Sequence, residues 1–139
     1  MEKKEKSKIG KKSRAAGKRF ELKVRSKLEA QGFIVVKWAN QVDLINNKLI
    51  PAKSKYNPFL KRVMSEGSGF PDFLCYKSGV ETEVIGVESK LGKYLDADEK
   101  KKVQWLLKNK IFSRIFSAYP GKKRGEIELE ELNEEEQLD

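Results

Sequence analysis

The sequence predicts an α/β domain in which a central mixed β-sheet is flanked by α-helices. Three observations lead to this prediction: two amphipathic helical segments, several short apolar runs rich in β-branched residues, and the order in which they alternate. That order is helix, three strands, helix and strand. With 139 residues the chain is long enough for one hydrophobic core, so a single domain is expected.

The first helix is predicted to begin at Ser13, a suitable N-cap, and to end near Gln31, next to Gly32. Residues 1–12 contain too few apolar side chains to pack, so we expect a mobile basic arm there. The apolar residues of the helix recur at every fourth position and form one stripe toward a core: Ala16, Phe20, Val24 and Leu28.

The apolar run 33–38 predicts the first strand, because it is rich in β-branched residues and directly follows a glycine. Residues 39–66 are expected to form an insertion with a basic face. Within this insertion, Asn46-Asn47 predicts a hairpin turn. Asn57-Pro58 predicts the start of a short helix that ends near Met64.

Two further strands are predicted at 70–76 and 84–90, with turn residues between them. Asp96 and Glu99 then form a capping box for the second helix, which is expected to end near Lys108. Three apolar residues of this helix should cover the sheet: Val103, Leu106 and Leu107.

A fourth strand is predicted at 111–119, and a basic turn follows it. Glu126 to Leu129 is predicted as a last edge strand, and the remainder of the acidic segment 126–139 as a solvated tail. The single domain therefore spans residues 13–125.

Charge is distributed unevenly along the chain, whose formal net charge is +9. Residues 1–25 contain eleven bases and three acids, residues 126–139 contain eight acids and no base, and their net charges of +8 and −8 cancel. The residues between them therefore carry a net charge of +9, equal to that of the whole chain. A basic body is typical of proteins that bind nucleic acid, although a charged surface that serves solubility or heat resistance has the same composition.

The chain has no histidine, which excludes histidine-based nucleases, Ser-His-Asp hydrolases and His-ligated zinc sites. Its one cysteine, Cys75, cannot form an internal disulfide, so a reducing, cytoplasmic location is expected. The apolar runs are too short to span a membrane, and the Lys-rich start is unlike a secretory signal. Any acid–base or metal chemistry must therefore come from carboxylates, lysines, tyrosines and water.

The candidate site lies where two of the predicted strands end. Asp72 is at the start of one strand, and Glu88 and Lys90 share a face at the end of the next. The spacing of an acid two residues before a lysine is weak evidence alone. It occurs five times in the chain, at Glu2, Glu21, Glu88, Asp98 and Glu99. Of these triplets, only Glu88-Ser89-Lys90 ends an apolar strand.

Hairpin pairing would place Asp72 beside Glu88, and two close carboxylates repel each other unless a cation lies between them. Mg²⁺ prefers oxygen ligands, so the predicted ligands are Asp72, Glu88 and the backbone carbonyl of Ser89, and Mn²⁺ is an expected substitute. Lys90 would orient or deprotonate the attacking water, or neutralise the developing phosphate charge. The alternative is an ordinary strand-start Asp beside a Glu–Lys surface ion pair.

The segment Phe70-Pro71-Asp72, followed by a hairpin and Val87-Glu88-Ser89-Lys90, resembles the PD-(D/E)xK nuclease superfamily. Within it, Arg19-Phe20-Glu21, Gly32-Phe33 and Gly67-Ser68-Gly69 are similar to the archaeal Holliday junction resolvases, over about residues 14–119. The resemblance implies a restriction-endonuclease-like core and a homodimeric, Mg²⁺-dependent endonuclease for branched DNA, of archaeal, archaeal-viral or plasmid origin. It also implies that Glu21 is a further acidic site residue and a candidate metal ligand.

Two features depart from the resolvases. The segment 39–66 is longer than the short connection expected there. Gln104-Trp105 instead resembles the virus-type replication-repair nucleases, which would place Gln104 near the scissile phosphate; an ordinary solvated helix residue is the alternative. Flap, duplex and single-stranded DNA therefore remain alternative substrates.

The expected DNA contacts would hold the phosphate backbone without reading bases. They are Arg14, Lys18, Arg19, Lys53, Lys55, Lys61, Arg62, Lys122, Lys123 and Arg124. Neither base specificity nor a small-molecule substrate is suggested. Two other classes remain open: a non-catalytic DNA-binding protein on the same scaffold, and a protein-interaction adaptor that uses the acidic tail.

Overall fold

The computed structural model describes residues 3–52, 55–65, 69–79 and 83–134, and for 3–12, 55–57 and 62–65 it describes the backbone alone. This part of the chain forms two helices and nine strands. They are α1 (Lys3–Ala30), β1 (Ile34–Lys37), β2 (Asn40–Asp43), β3 (Lys48–Pro51), β4 (Lys55–Asn57), β5 (Arg62–Ser65), β6 (Phe73–Tyr76), β7 (Ile85–Ser89), α2 (Ala97–Lys108), β8 (Arg114–Pro120) and β9 (Ile127–Leu132).

Five strands form the central sheet in the order β1-β6-β7-β8-β9. β7 and β8 are parallel, and the other neighbours are antiparallel. A parallel pair needs a crossover connection, which α2 supplies here. The predicted α/β class and the mixed sheet are therefore confirmed.

The two helices pack on opposite faces of this sheet. Phe20, Val24 and Leu28 of α1 lie in one buried cluster with residues of β1, β6 and β7. Val103 and Leu106 of α2 lie in a second cluster on the other face, where the partly buried Leu107 also packs. Alternate strand residues point to opposite faces of the sheet, so each face can bury one helix. The predicted apolar faces of both helices are thus confirmed.

The insertion 39–66 forms two hairpins outside the central sheet. β2 and β3 pair across the predicted Asn46-Asn47 turn, where Asn47 has a left-handed φ of 55°. β4 and β5 form a second hairpin, so the helix predicted from Asn57-Pro58 to Met64 is wrong. So short a run is a marginal helix on its own, and Lys61 adopts a φ of 48° that closes a turn instead.

Toward both ends of the described chain, regular secondary structure extends further than predicted. α1 begins at Lys3, so the prediction that Ser13 starts the helix is wrong, and residues 3–12 continue it. Lysine and glutamate are good helix formers, and extending an existing helix is easier than nucleating one. At the other end β9 continues to Leu132, three residues into the segment that was predicted as a tail.

In the described ranges, neither helix combines the length and the apolar character that crossing a bilayer requires. α1 has the length, but its sequence is rich in lysine and arginine.

Candidate active site

The ends of β6 and β7 bring Asp72 and Glu88 together. The ladder between these strands runs to Phe73 opposite Val87, so the next residues, Asp72 and Glu88, face each other. The Asp72 amide donates to Glu88 Oε1 at 3.1 Å. In return, Asp72 Oδ2 accepts from the Ser89 amide at 2.8 Å and from the Ser89 hydroxyl at 2.7 Å. The backbone of each strand therefore fixes the carboxylate of the other.

Gly86 allows this close approach of the two strand ends. A Cβ atom at Gly86 would lie 2.8 Å from Pro71 Cγ and 3.3 Å from the Phe112 ring. Pro71 is fully buried and immediately precedes Asp72. The bare backbone at Gly86 thus lets Pro71 pack on β7 and holds Asp72 beside Glu88. The sequence pattern gave no signal for this role beyond the presence of a glycine inside a strand.

Glu88 is buried, with an exposed fraction of 6%. Burial raises the pKa of Glu88 well above its usual value, and the charge and hydrogen bond of Asp72 raise it further. Lys90 lowers this pKa, but its effect is smaller. The positive charge near Asp72 and Glu88 is therefore too small to balance the two acids. A buried carboxylate is costly unless it is paired with a cation or bound to a metal.

Glu21, which the family resemblance adds to the site, reaches Asp72 from α1. Its side chain is half-buried. Burial, a hydrogen bond with Asp72 and the Asp72 charge raise the pKa of Glu21 to about 7, although Lys37 and Lys18 lower it. The structure thus brings Glu21 to Asp72, and Asp72 to Glu88, from a helix and two strands.

Lys90 lies beside these acids, but its ammonium group contacts Glu99 Oε2 at the start of α2. Burial lowers the pKa of Lys90, yet the hydrogen bond to Glu99 and the charges of Glu99 and Glu88 outweigh burial, and the net shift is upward. Lys90 is therefore an ammonium ion at neutral pH. The sequence marked Glu99 only as a capping residue, because a contact with Lys90 depends on how α2 packs against β7.

Gln104 lies elsewhere on α2. Its Nε2 donates to the Asn133 carbonyl at 3.0 Å. It also lines a cavity of about 350 Å³ between α2, β8 and β9, in which Asp72, Glu88 and Lys90 take no part. The structure therefore does not bring Gln104 to the carboxylates.

The basic turn after β8 lies at the same end of the sheet as the carboxylates. β7 and β8 are parallel, with Ser89 opposite Ala118, so both strands end on the same side. The exposed residues Lys122, Lys123 and Arg124 follow β8 directly. A basic surface therefore borders the acidic site.

The other predicted DNA contacts are described to different extents. Arg14, Lys18 and Arg19 are exposed on α1 near Glu21, and Lys61 is exposed in the turn between β4 and β5. Lys53 lies outside the described residues, as do the side chains of Lys55 and Arg62.

The oxygen atoms at this site fit a hard divalent cation by their chemistry. Carboxylates with raised pKa values are the groups whose charge such a cation would stabilise. The Ser89 amide faces Asp72, and the amide and carbonyl of one residue point to the same side of a strand, so the Ser89 carbonyl also faces the acids. The acids meet in pairs that share Asp72: within the described ranges, no three Asp, Glu, His or Cys side chains surround one metal position.

Cys75 has no place in this site. It is a free, buried thiol in β6, and burial raises its pKa to about 12. Such a thiol is unreactive and serves as a small apolar core residue.

Comparison with known proteins adds no relative. The chain matches no family model, no curated protein and no solved structure. Its likeness to the PD-(D/E)xK nucleases therefore remains a prediction based on residues, and function has to be inferred from the geometry at this end of the sheet.

Proposed function

We propose that this chain is a divalent-metal-dependent endodeoxyribonuclease of the PD-(D/E)xK type with a restriction-endonuclease-like core. The observation that carries the proposal is that Asp72 meets both Glu88 and Glu21 at one end of β6 and β7, beside Lys90. Strongly perturbed pKa values concentrate at functional sites. Placing these acids side by side costs free energy of folding. A cation that binds between them in the functional protein best explains why they lie together.

The arrangement of elements supports the proposed core. When the two hairpins of the insertion are set aside, α1, β1, β6, β7, α2 and β8 follow in the predicted order. Asp72 and Glu88 stand at the ends of the two middle strands of this set. The spacing of Glu88 two residues before Lys90 was weak evidence in the sequence alone, but in the structure this pair lies at the end of a strand beside Asp72.

Asp72, Glu88 and the Ser89 carbonyl would hold Mg²⁺ or Mn²⁺, and Glu21 is an additional candidate ligand. A bound divalent ion supplies Lewis-acid activation of water and stabilises charge on the phosphate. The protein's own contribution is orientation. The Ser89 amide and hydroxyl hold Asp72, and the Asp72 amide holds Glu88.

The protonation states assign different tasks to Lys90 and Glu21. Lys90 remains an ammonium, so it would stabilise negative charge developing on the scissile phosphate rather than act as a base. Glu21 has a pKa of about 7 in the metal-free protein, and a bound cation would lower it, so Glu21 would act as a carboxylate that binds the metal ion or orients the attacking water.

We propose DNA as the substrate, with branched DNA ahead of plain duplex or single strands. The exposed bases of the turn after β8 and of α1 would bind phosphates, which positions DNA without reading its sequence. The preference for branched DNA, and action as a homodimer, depend on the likeness to the resolvases. A dimer has the two-fold symmetry that a four-way junction also has.

A cleavage assay on four DNA structures tests the proposal. The protein with Mg²⁺ is given a four-way junction, a flap, a duplex and a single strand, with a chelator as the blank. We expect metal-dependent cleavage, strongest on the junction. Asp72→Asn retains an acceptor for Ser89 but loses the charge, and should slow cleavage by about a hundredfold or more.

Glu131→Gln, on the edge strand β9 two strands away from β7, is the matched control and should cut like the wild type. DNA binding without cleavage would support the non-catalytic DNA-binding protein instead. Equal cutting of all four structures would contradict the preference for branched DNA but not the nuclease activity.

A further inference from the structure

The ion pair between Lys90 and Glu99 links the candidate site to α2. Lys90 Nζ contacts Glu99 Oε2, and the two side chains are only 27% and 15% exposed. The other ion pairs in the described part of the chain are more open; Arg114 and Glu131, for example, are 43% and 33% exposed. Partly buried pairs are screened less by water and salt, so this contact is suited to fix a side chain.

Glu99 is itself held in place by the start of the helix. Its Oε1 accepts from the Asp96 amide at 3.1 Å, and its own amide donates to Asp96 Oδ1 at 2.8 Å. One carboxylate oxygen therefore serves the capping box while the other faces Lys90. α2 is anchored in turn by Val103 and Leu106 in the core, so a continuous series of contacts joins the core to the Lys90 ammonium.

Glu88 is the competing partner for that ammonium. Glu88 and Lys90 lie on the same face of the strand, and each shifts the pKa of the other. A lysine without another partner would be drawn to the buried Glu88 carboxylate, where it would occupy the place of the metal ion. Glu99 provides a second carboxylate on the side of Lys90 that faces α2.

We propose that Glu99 is a positioning residue for Lys90, an inference that rests on the proposed nuclease function. By binding the ammonium, Glu99 leaves the oxygens of Asp72 and Glu88 to the metal ion. It also keeps Lys90 beside the position of the scissile phosphate. Glu99 has no contact with the reacting atoms in this scheme and acts only through Lys90.

Two variants separate the positioning role from helix capping. Glu99→Gln keeps an acceptor for the Asp96 amide, since glutamine also completes a capping box, but removes the charge that binds Lys90. Asp96→Ala removes the capping carboxylate but keeps the Glu99 charge and the Asp96 amide. Asp96→Ala therefore weakens the helix start without removing the partner of Lys90, and Glu99→Gln removes that partner while keeping the capping box.

The first readout is the ¹⁵N NMR signal of the Lys90 ammonium in the full-length protein, assigned by its absence in Lys90→Met. An ion-paired ammonium exchanges its protons slowly and couples to the carboxylate carbon. We expect this signal in the wild type and in Asp96→Ala, and its loss in Glu99→Gln.

The second readout is cleavage under saturating DNA. Loss of an orienting partner typically costs about 10–100-fold, so Glu99→Gln should lower kcat by that factor while KM for DNA changes little. Asp96→Ala should lower the melting temperature and leave kcat close to that of the wild type.

The outcomes distinguish the two claims. If the wild type cleaves DNA but Glu99→Gln keeps both the Lys90 signal and kcat, the positioning role is overturned and the nuclease stands. If Asp96→Ala loses as much kcat as Glu99→Gln, capping alone explains the effect and the inference also fails. If the wild type cleaves no DNA, the proposed function fails, and the positioning role fails with it whatever the NMR signal shows.

Discussion

Two regions of the central sheet hold acidic side chains under opposite electrostatic conditions. Where β6 and β7 meet, burial and the neighbouring Asp72 raise the pKa of Glu88. On the edge strand β9, Arg114 of β8 binds both carboxylate oxygens of Glu131 at 3.0 and 3.1 Å, and this hydrogen bonding lowers the pKa of Glu131. Glu131 lies opposite Phe116, which in turn lies opposite Val87, so β8 separates the two regions.

The difference separates an acid that serves the fold from acids that serve a function. Glu131 is partly exposed and has its cation within the chain, so its charge is balanced. Glu88 is buried beside another acid, and the nearby Lys90 is bound to Glu99. Such unbalanced charge reduces stability, and proteins retain it where activity requires it.

The same Glu→Gln substitution in each region should have opposite effects on stability. Glu88→Gln keeps an acceptor for the Asp72 amide and needs no proton to remain neutral. We expect it to raise the free energy of unfolding by about 1–3 kcal/mol at pH 7.5 without metal, because the folded wild type must either bury a charge or hold a proton that the unfolded chain has released. Urea unfolding in the presence of a chelator measures this change.

Glu131→Gln is the control and should lower stability slightly, because Arg114 loses a charged partner. If both variants proved less stable than the wild type, Glu88 would not be destabilising, and the contrast between the two regions would be lost.

A smaller effect is expected in the pH dependence of stability. The folded pKa of Glu21 is about 7, against an ordinary value of 4.5, so the folded protein keeps a proton that the unfolded chain releases between these two pH values. With respect to this group, stability should therefore be highest below about pH 4.5 and fall as the pH rises to about 7. Solvent screening of the half-exposed Glu21 limits the effect to the order of 1 kcal/mol.

The comparison of wild type with Glu21→Gln, unfolded at several pH values without metal, isolates this contribution. The variant should show a shallower decline of stability across the interval. Parallel curves for the two proteins would mean that Glu21 titrates normally and does not share the site of Asp72.

Local signals in the sequence were sufficient for much of the fold. The capping box of Asp96 and Glu99 and the Asn46-Asn47 turn depend on neighbouring residues, and both occur where predicted. The pairing of Asp72 with Glu88 was predictable as well, because a hairpin joins their strands. These features share short sequence separations, over which side-chain chemistry determines geometry.

Features that depend on tertiary packing were not predictable in this way. The contact of Lys90 with Glu99 requires the placement of α2 against β7. The β4–β5 hairpin replaced a helix because the Asn57-Pro58 signal is equally compatible with a turn. α1 is longer than predicted because charged residues without an apolar stripe can still extend a helix.

Calorimetric titration of the metal-free protein with Mn²⁺ tests the central claim most directly. Near pH 7, we expect saturable binding accompanied by proton release, because the metal displaces protons from acids with raised pKa values. The release is measured by repeating the titration in buffers with different ionisation enthalpies. Asp72→Asn should abolish the binding, and Glu131→Gln should retain it. Equal binding by Asp72→Asn and the wild type would contradict a metal site at the end of β6 and β7.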